Sequence, residues 1–322
     1  MIFGKLRSKE EKKAEEELWF KAEMTHRQHL ALAHKLINSD IENEIINLDF
    51  FKKIKPSKTI DFVEIDKWLN NAWNTENILF SNHTIIDNSG QGFALQWAFP
   101  QAYYSVFGTL LAHYNALGYT EKSHTNALKK FGLLVQENKL PESICIYTNG
   151  SKKSMSYHGI NKPTDIRTIE LDLKIQETVD NQICQFLKST REIKLTEKAP
   201  DIIKNLKLKT TTGKPKKNLS QFEWNKVSTS IGVTSILDIL YRKRIKANYQ
   251  DTDVFTYEKL KGRDLLENLC NIVNRINLVN EAYVAKAIGV EKFTQLVDNH
   301  VKRTPNEILI KRNKTIIDLL KA

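Results

Sequence analysis

Arg242, Lys243, Arg244 and Lys246 crowd one stretch of the chain, Ser235 to Phe255, which reads S-I-L-D-I-L-Y-R-K-R-I-K-A-N-Y-Q-D-T-D-V-F. Ile236, Ile239 and Leu240 have the apolar spacing of a helix, and the expectation is that Lys243 lies on the opposite, solvated face. Asn248 and Tyr249 close that helix before an acidic turn at Asp251 and Asp253. Arginines beside a tyrosine and an amide at a helix end are suited to holding a phosphate, because charge-assisted hydrogen bonds to an anion are the strong ones. The plainer reading is a basic outer face ended by an Asn-Tyr turn.

Histidine is the side chain best suited to moving protons near neutral pH. His124 follows Ser123 in a Ser-His pair that reads either as a helix start or as part of a site. Tyr249 has the hydroxyl to hydrogen-bond a phosphate but is a poor base, since a phenol titrates near pH ~10. His26, His29 and His34 share one segment without a convincing i, i+4 pair and carboxylate partner, so they read as a solvated helix face and no metal is expected. Cys145, Cys184 and Cys270 are isolated, the pattern of reduced thiols in a cytoplasmic protein. No cofactor motif is present either.

The balance of the chain is basic, with a formal net charge of +11 over 322 residues. That favours polyanionic partners, RNA or another nucleic acid above all, through phosphate neutralisation. The segment Lys188 to Lys217 carries ten Lys and Arg against three acidic residues, and it ends T-T-T-G-K-P-K-K. That end reads as a flexible loop on which Lys214, Lys216 and Lys217 either grip nucleic acid or are merely solvated. Met1 to Lys13 contains no apolar run of the kind a secretory signal needs. No stretch approaches the ~18 apolar residues of a membrane helix, so no membrane partner is expected.

The elements that must position these residues are helical. Only 12 Gly and 7 Pro punctuate the chain, too little turn chemistry for many strands. Ser8 to Asn38 reads as one long helix with acidic residues near its start, and residues 1–58 as a helical arm that packs on the body or on a second subunit. Asp61 to Phe80 has helical spacing, and Asn82 to Gly92 reads as a polar loop. The following helix runs to Leu117, with Pro100 either kinking or beginning it and Gly118 stopping it. Ser123 caps the next helix. Ile144 to Thr148 with Asn149-Gly150 predicts a small hairpin. Asp165 to Leu187 reads as a helix or a strand and helix, and Leu260 to Gly289 as a helix pair at most.

Two of these patches carry a resemblance. Y-Y-S-V-F-G-T-L-L-A-H-Y-N-A-L-G at Tyr103 to Gly118, followed by S-H-T-N-A-L-K-K-F at Ser123 to Phe131, resembles the HEPN superfamily. There an aromatic pair opens a helix and a Ser-His pair begins the next. L-Y-R-K-R-I-K-A-N-Y-Q-D at Leu240 to Asp251 is similar to the family's late helix, where an arginine precedes an A-[DN]-Y tripeptide and an acidic turn. The patches cover about fifty residues in the family's order.

The resemblance implies a mainly α fold. It would be an antiparallel HEPN-like bundle over residues 59–289, interrupted by a basic, mixed α/β insertion at about 138–222 and followed by a helical tail over 290–322. It also implies a bundle that dimerises and, in many members, a metal-independent endoribonuclease of antiphage, abortive-infection or toxin–antitoxin systems, with a partner protein from the same system. In such a site arginine stabilises the charged phosphorane and histidine manages protons. The candidate catalytic residues are then Arg242, His124 and Tyr249. Arg242, Lys243, Arg244, Lys246 and Asn248, with Lys214, Lys216 and Lys217, are the candidate nucleic-acid contacts.

The family's cutting motif is an arginine, four to six residues and a histidine. Here the position five after Arg242 is Ala247, and no histidine lies between His158 and His300. Arg27 and His34 match the spacing but lie outside the resembling patches, where a chance match is easily expected. An RNA-binding protein, with or without cleavage, therefore stands beside a catalytically silent scaffold and a nucleotide-sensing regulator of a partner.

Overall fold

A computed structural model describes residues 8–56, 60–87, 91–121, 123–162, 170–257 and 260–321. Its helices in chain order are α1 Lys9–Ile37, α2 Ile41–Asn47, α3 Asp49–Lys52, α4 Phe62–Asp87, α5 Gln91–Ala116 and α6 His124–Gln136. Strands β1 Tyr147–Asn149 and β2 Ser156–His158 follow, then α7 Gln176–Asn205 and α8 Gln221–Ile231. Strand β3 Thr234–Ser235 leads directly into α9 Ile236–Ile245, a π-helical turn Lys246–Gln250 and α10 Thr252–Phe255. The chain ends with α11 Gly262–Ile288, α12 Val290–Arg303 and α13 Glu307–Lys321. The fold is mainly helical with one small antiparallel sheet.

Local chemistry explains many of the boundaries. Ser8 starts α1 with a capping box, its hydroxyl accepting from Glu11 N at 3.1 Å while Glu11 accepts from Ser8 N at 2.7 Å. Ser123 caps α6 by accepting from Asn126 N. Gly118, at φ +78°, follows α5 in the left-handed region that a side chain disfavours. One expectation changes and two open ones are narrowed. The segment read as a polar loop is largely helix, because α4 continues to Asp87 and α5 begins at Gln91; residues 88–90 lie outside the described residues. Pro100 therefore sits within α5. Leu260 to Gly289 holds one helix, α11, and not two.

Helices α4, α5 and α11 form the centre of the core. Gly108 lets α5 approach α4 so closely that a Cβ there would meet Ala72 Cβ at 2.9 Å. Helix α1 lies against α11 and α7, burying Ala22, Leu32 and Leu36 in that core. The first half of α7 adds Val179, Ile183, Phe186 and Leu187 to it. The second half builds a small core of its own with α8, from Leu195, Ala199, Ile203, Val227 and Ile231. Most of the basic segment is thus helix, and its T-T-T-G-K-P-K-K end closes tightly, with Thr210 N donating to Lys214 O at 2.8 Å.

The hairpin forms in the register Tyr147↔His158, Thr148↔Tyr157, Asn149↔Ser156, and β3 pairs with the other edge of β1. Arg191 of α7, fully buried, fixes this sheet to α8. It donates to Gly150 O at 3.1 Å, to Ser228 O at 3.2 Å and to Gly232 O. Lys194 then donates to Asp238 and to Val233 O, both at 2.6 Å, while Asp238 accepts from Ser235 N in a capping box. The start of α9 is therefore anchored by two buried cations, which sets the direction in which its basic residues point.

Candidate functional site

Successive helical residues turn by 100°, so Arg242 and Arg244 project from nearly opposite sides of α9. The consequence is two separate basic sites on one helix.

Arg244 faces α5 and α6. Its guanidinium lies 5.5, 5.0 and 5.4 Å from the ring centroids of Tyr103, Tyr104 and Tyr241. His124, at the first turn of α6, enters the same aromatic box. Its Nδ1 is 2.8 Å from the Tyr103 hydroxyl, and its ring centroid is 4.4 Å from that of Phe107. Burial and the nearby Arg244 charge both lower the His124 pKa from its ordinary value, so the imidazole is neutral at neutral pH. Burial raises the Tyr103 phenol, which stays protonated. Arg244 Nη1 is buried without a protein partner, and so is Oδ1 of Asn248, one turn further on. A buried polar atom left unpaired costs stability, and an anion would satisfy the Arg244 donor. Tyr104 is 40% exposed, and Trp97, seven residues earlier on the same face of α5, is 57% exposed.

Arg242, Lys243 and Lys246 face α7 and α1 instead. Arg242 Nη1 donates to Ser189 Oγ at 2.9 Å and to Thr190 Oγ1 at 3.0 Å, and burial pushes its guanidinium down to about 10, still charged at neutral pH. Lys243 is buried, against the expectation that it faces water. The reason is phase: it follows Ile236 by seven residues and so continues the stripe of Ile236, Ile239 and Leu240. Its Nζ donates to Thr25 Oγ1 at 3.1 Å and lies 5.1 Å from the Phe186 ring. Burial, and then the charges of Arg242 and Lys246, push its pKa well below the ordinary lysine value. Lys246 pairs with Asp251.

The remaining candidates lie elsewhere. Tyr249 is 74% exposed on the π-helical turn. Lys214 and Lys217 are exposed on the α7–α8 connection, and Lys216 is held by Glu223 at 2.6 Å. Arg27 is paired with Glu23 at 2.6 Å, and His34 meets the Asn38 amide at 3.1 Å. His26 and His29 are buried, not solvated as expected, because they fall on the face of α1 that packs against the body. Among the described residues no group of three His, Cys, Asp or Glu could hold a metal ion, and no helix is long and apolar enough to cross a membrane.

No family model, curated protein or solved structure matches this chain. The functional reading therefore rests on the geometry of its own residues.

Of the sequence candidates, the structure brings His124 and Arg244 together at one site and Arg242, Lys243 and Lys246 at the other. Tyr103 and Tyr104, which build the aromatic box with Phe107 and Tyr241, stood in the sequence only as an aromatic pair that opens a helix. Their usable signal is the pairing of two adjacent tyrosines with a third one residue before a basic triplet.

Proposed function

We propose that this chain is a HEPN-like, RNA-directed protein whose working residues are Arg244 and His124, with Trp97 and Tyr104 as a stacking surface for unpaired bases. The observation that carries the reading is the buried, unpartnered Arg244 Nη1 in a box shared with a neutral imidazole. Such a guanidinium suits a phosphodiester oxygen, and exposed aromatics at its margin suit the bases of a single strand. Arg244 takes the role for which Arg242 was the first candidate, since Arg242 faces the opposite side of α9 and is occupied by Ser189 and Thr190.

Cleavage needs no metal in this scheme. When Nδ1 of His124 carries the proton and donates to Tyr103, Nε2 is free to accept the proton of a ribose 2′-hydroxyl. The 2′-oxygen attacks phosphorus and the bond to the 5′-oxygen breaks. The imidazolium returns its proton to that oxygen, leaving a 2′,3′-cyclic phosphate and a 5′-hydroxyl. Arg244 neutralises the phosphorane charge. A protein of this kind works as a homodimer in bacterial antiphage or toxin–antitoxin systems, with a partner from the same system.

A silent RNA-binding scaffold is the second reading. The lack of any histidine between His158 and His300, and so at the motif's spacing after either arginine, favours it. Incubating the purified chain with end-labelled RNA in chelator separates the two. Cleavage lost in Arg244→Ala and His124→Ala supports the nuclease, and RNA that is bound but intact supports the scaffold. RNA neither bound nor cut removes both.

A further inference from the structure

The second basic face of α9 opens into a cleft between α1, α7, the π-helical turn and α10, with a volume of about 430 Å³. Five cations line it, Lys21, Lys188, Arg242, Lys243 and Lys246, against two carboxylates, Glu192 and Asp251. Three features separate it from a solvated basic surface.

Lys243 is 6% exposed, and among the described residues no carboxylate hydrogen-bonds it; it donates to the Thr25 hydroxyl, with the Phe186 and Phe255 rings at 5.1 and 6.0 Å. An ammonium buried with one neutral partner is costly unless an anion joins it. Arg242 lines the cleft, and its Nε is buried without a hydrogen-bond partner among the described residues while Nη1 is held by Ser189 and Thr190. The side chain is thus fixed in place with a donor to spare. Lys246 already holds an anion, the Asp251 carboxylate, so a carboxylate-sized oxyanion fits this edge.

The other wall is apolar. Phe20, 48% exposed, and Met24 line it from α1. A large exposed ring beside a cation cluster suits a flat heterocycle that carries phosphate. A cavity of this volume is on the scale of one nucleotide. Lys243 is buried and Lys188, Arg242 and Lys246 are half-buried, while an RNA strand needs a row of accessible cations.

We propose that this cleft binds a nucleoside di- or triphosphate, with phosphoryl oxygens on Arg242, Lys243 and Lys246 and the base against Phe20 and Met24. The site lies on the face of α9 opposite Arg244, so it stands whether or not the chain acts on RNA. It reassigns Arg242, Lys243 and Lys246 from a strand-binding surface to a small-ligand pocket.

The test uses the full chain with ADP, ATP, adenosine and pyrophosphate, read by thermal shift and titration calorimetry. Wild type, Lys243→Met, Arg242→Gln and the remote Lys214→Ala are compared. ADP and ATP are expected to raise the Tm, adenosine to leave it unchanged, and pyrophosphate to bind at least tenfold more weakly than ADP. Lys243→Met should lose at least tenfold in ADP affinity while melting no lower than wild type, because it removes a buried polar group and keeps the volume. That second readout separates lost binding from lost folding. Lys214→Ala should bind like wild type. The absence of any Tm shift or heat with ADP and ATP overturns the proposal. So does unchanged ADP affinity in both Lys243→Met and Arg242→Gln. Pyrophosphate binding as tightly as ADP overturns the nucleoside assignment. RNA affinity of Lys243→Met, measured in parallel, should match wild type; if RNA binding falls and ADP does not bind, the cleft belongs to an RNA path and the inference fails.

Discussion

The Tyr103 hydroxyl and Nδ1 of His124 meet at 2.8 Å across the corner between α5 and α6, with Arg244 stacked on the same tyrosine. That contact ties the tautomer of the imidazole to a phenol that stays protonated, and it puts a cation where it disfavours imidazolium. Arg244→Met removes this charge, so the His124 titration midpoint should move upward toward the ordinary histidine value. A proton NMR titration of the His124 ring signals checks it. A midpoint that does not move would mean that Arg244 and His124 do not share a site.

Four further histidines link the fold to pH. His29, in edge contact with Phe99 and Phe186, is pushed down to about 3 by burial and then by Lys243; His113 is pushed down to about 4 by burial. His26 and His300 are lowered by burial as well. Each binds its proton more readily in the unfolded chain, so each favours folding fully above pH ~6.5. That stability is lost as pH falls, down to about 4 for His113 and about 3 for His29. His29 and His113 each contribute a slope of about 1.4 kcal/mol per pH unit within their windows. Urea unfolding at pH 7 and pH 5 should therefore show lower stability at pH 5, with a smaller difference in His29→Leu. Equal pH dependence in the variant contradicts the buried, neutral His29.

The terminal helix is held by charge. Arg312 of α13 bridges Glu76 of α4 and Glu281 of α11 with hydrogen bonds of 2.7–2.8 Å, all three side chains being buried. Trp73 Nε1 donates to Glu281 at 2.9 Å, and Asn277 links Glu76 to Ser105 and Thr109. Burial raises the Glu281 pKa, opposed by Arg312. Arg312→Met leaves two buried carboxylates without their cation and should cost about 3–5 kcal/mol, read as a lower urea midpoint. An unchanged midpoint would show that the triad is dispensable.

Trp97 is expected to act through stacking and not through charge. Trp97→Ala should weaken binding of single-stranded RNA by about 1–3 kcal/mol, with no change in the salt dependence. A titration by fluorescence anisotropy at several salt concentrations measures both. Unaltered affinity would take the exposed face of α5 out of the interface.

What could be read from the sequence was local. The cap at Ser123 and the Asn149-Gly150 hairpin depend on residues within a few positions of one another, and the structure has both. Lys243 was misplaced although its phase was available, because a lysine was assumed to face water. The split of the basic cluster into two sites was not legible. It depends on Arg191 and Lys194 of α7 anchoring the start of α9 from more than thirty residues away. The Arg312 triad was hidden for the same reason, since its members come from helices at both ends of the chain. His26 and His29 looked solvated until α1 was seen to lie on α7 and α11.

RNA affinity as a function of salt tests the central claim most directly. For wild type and Arg244→Ala, log K is plotted against log salt with one single-stranded RNA. A lower affinity for Arg244→Ala and a slope shallower by about one phosphate contact is the predicted result. Two superimposable lines would contradict it and remove Arg244 from RNA recognition.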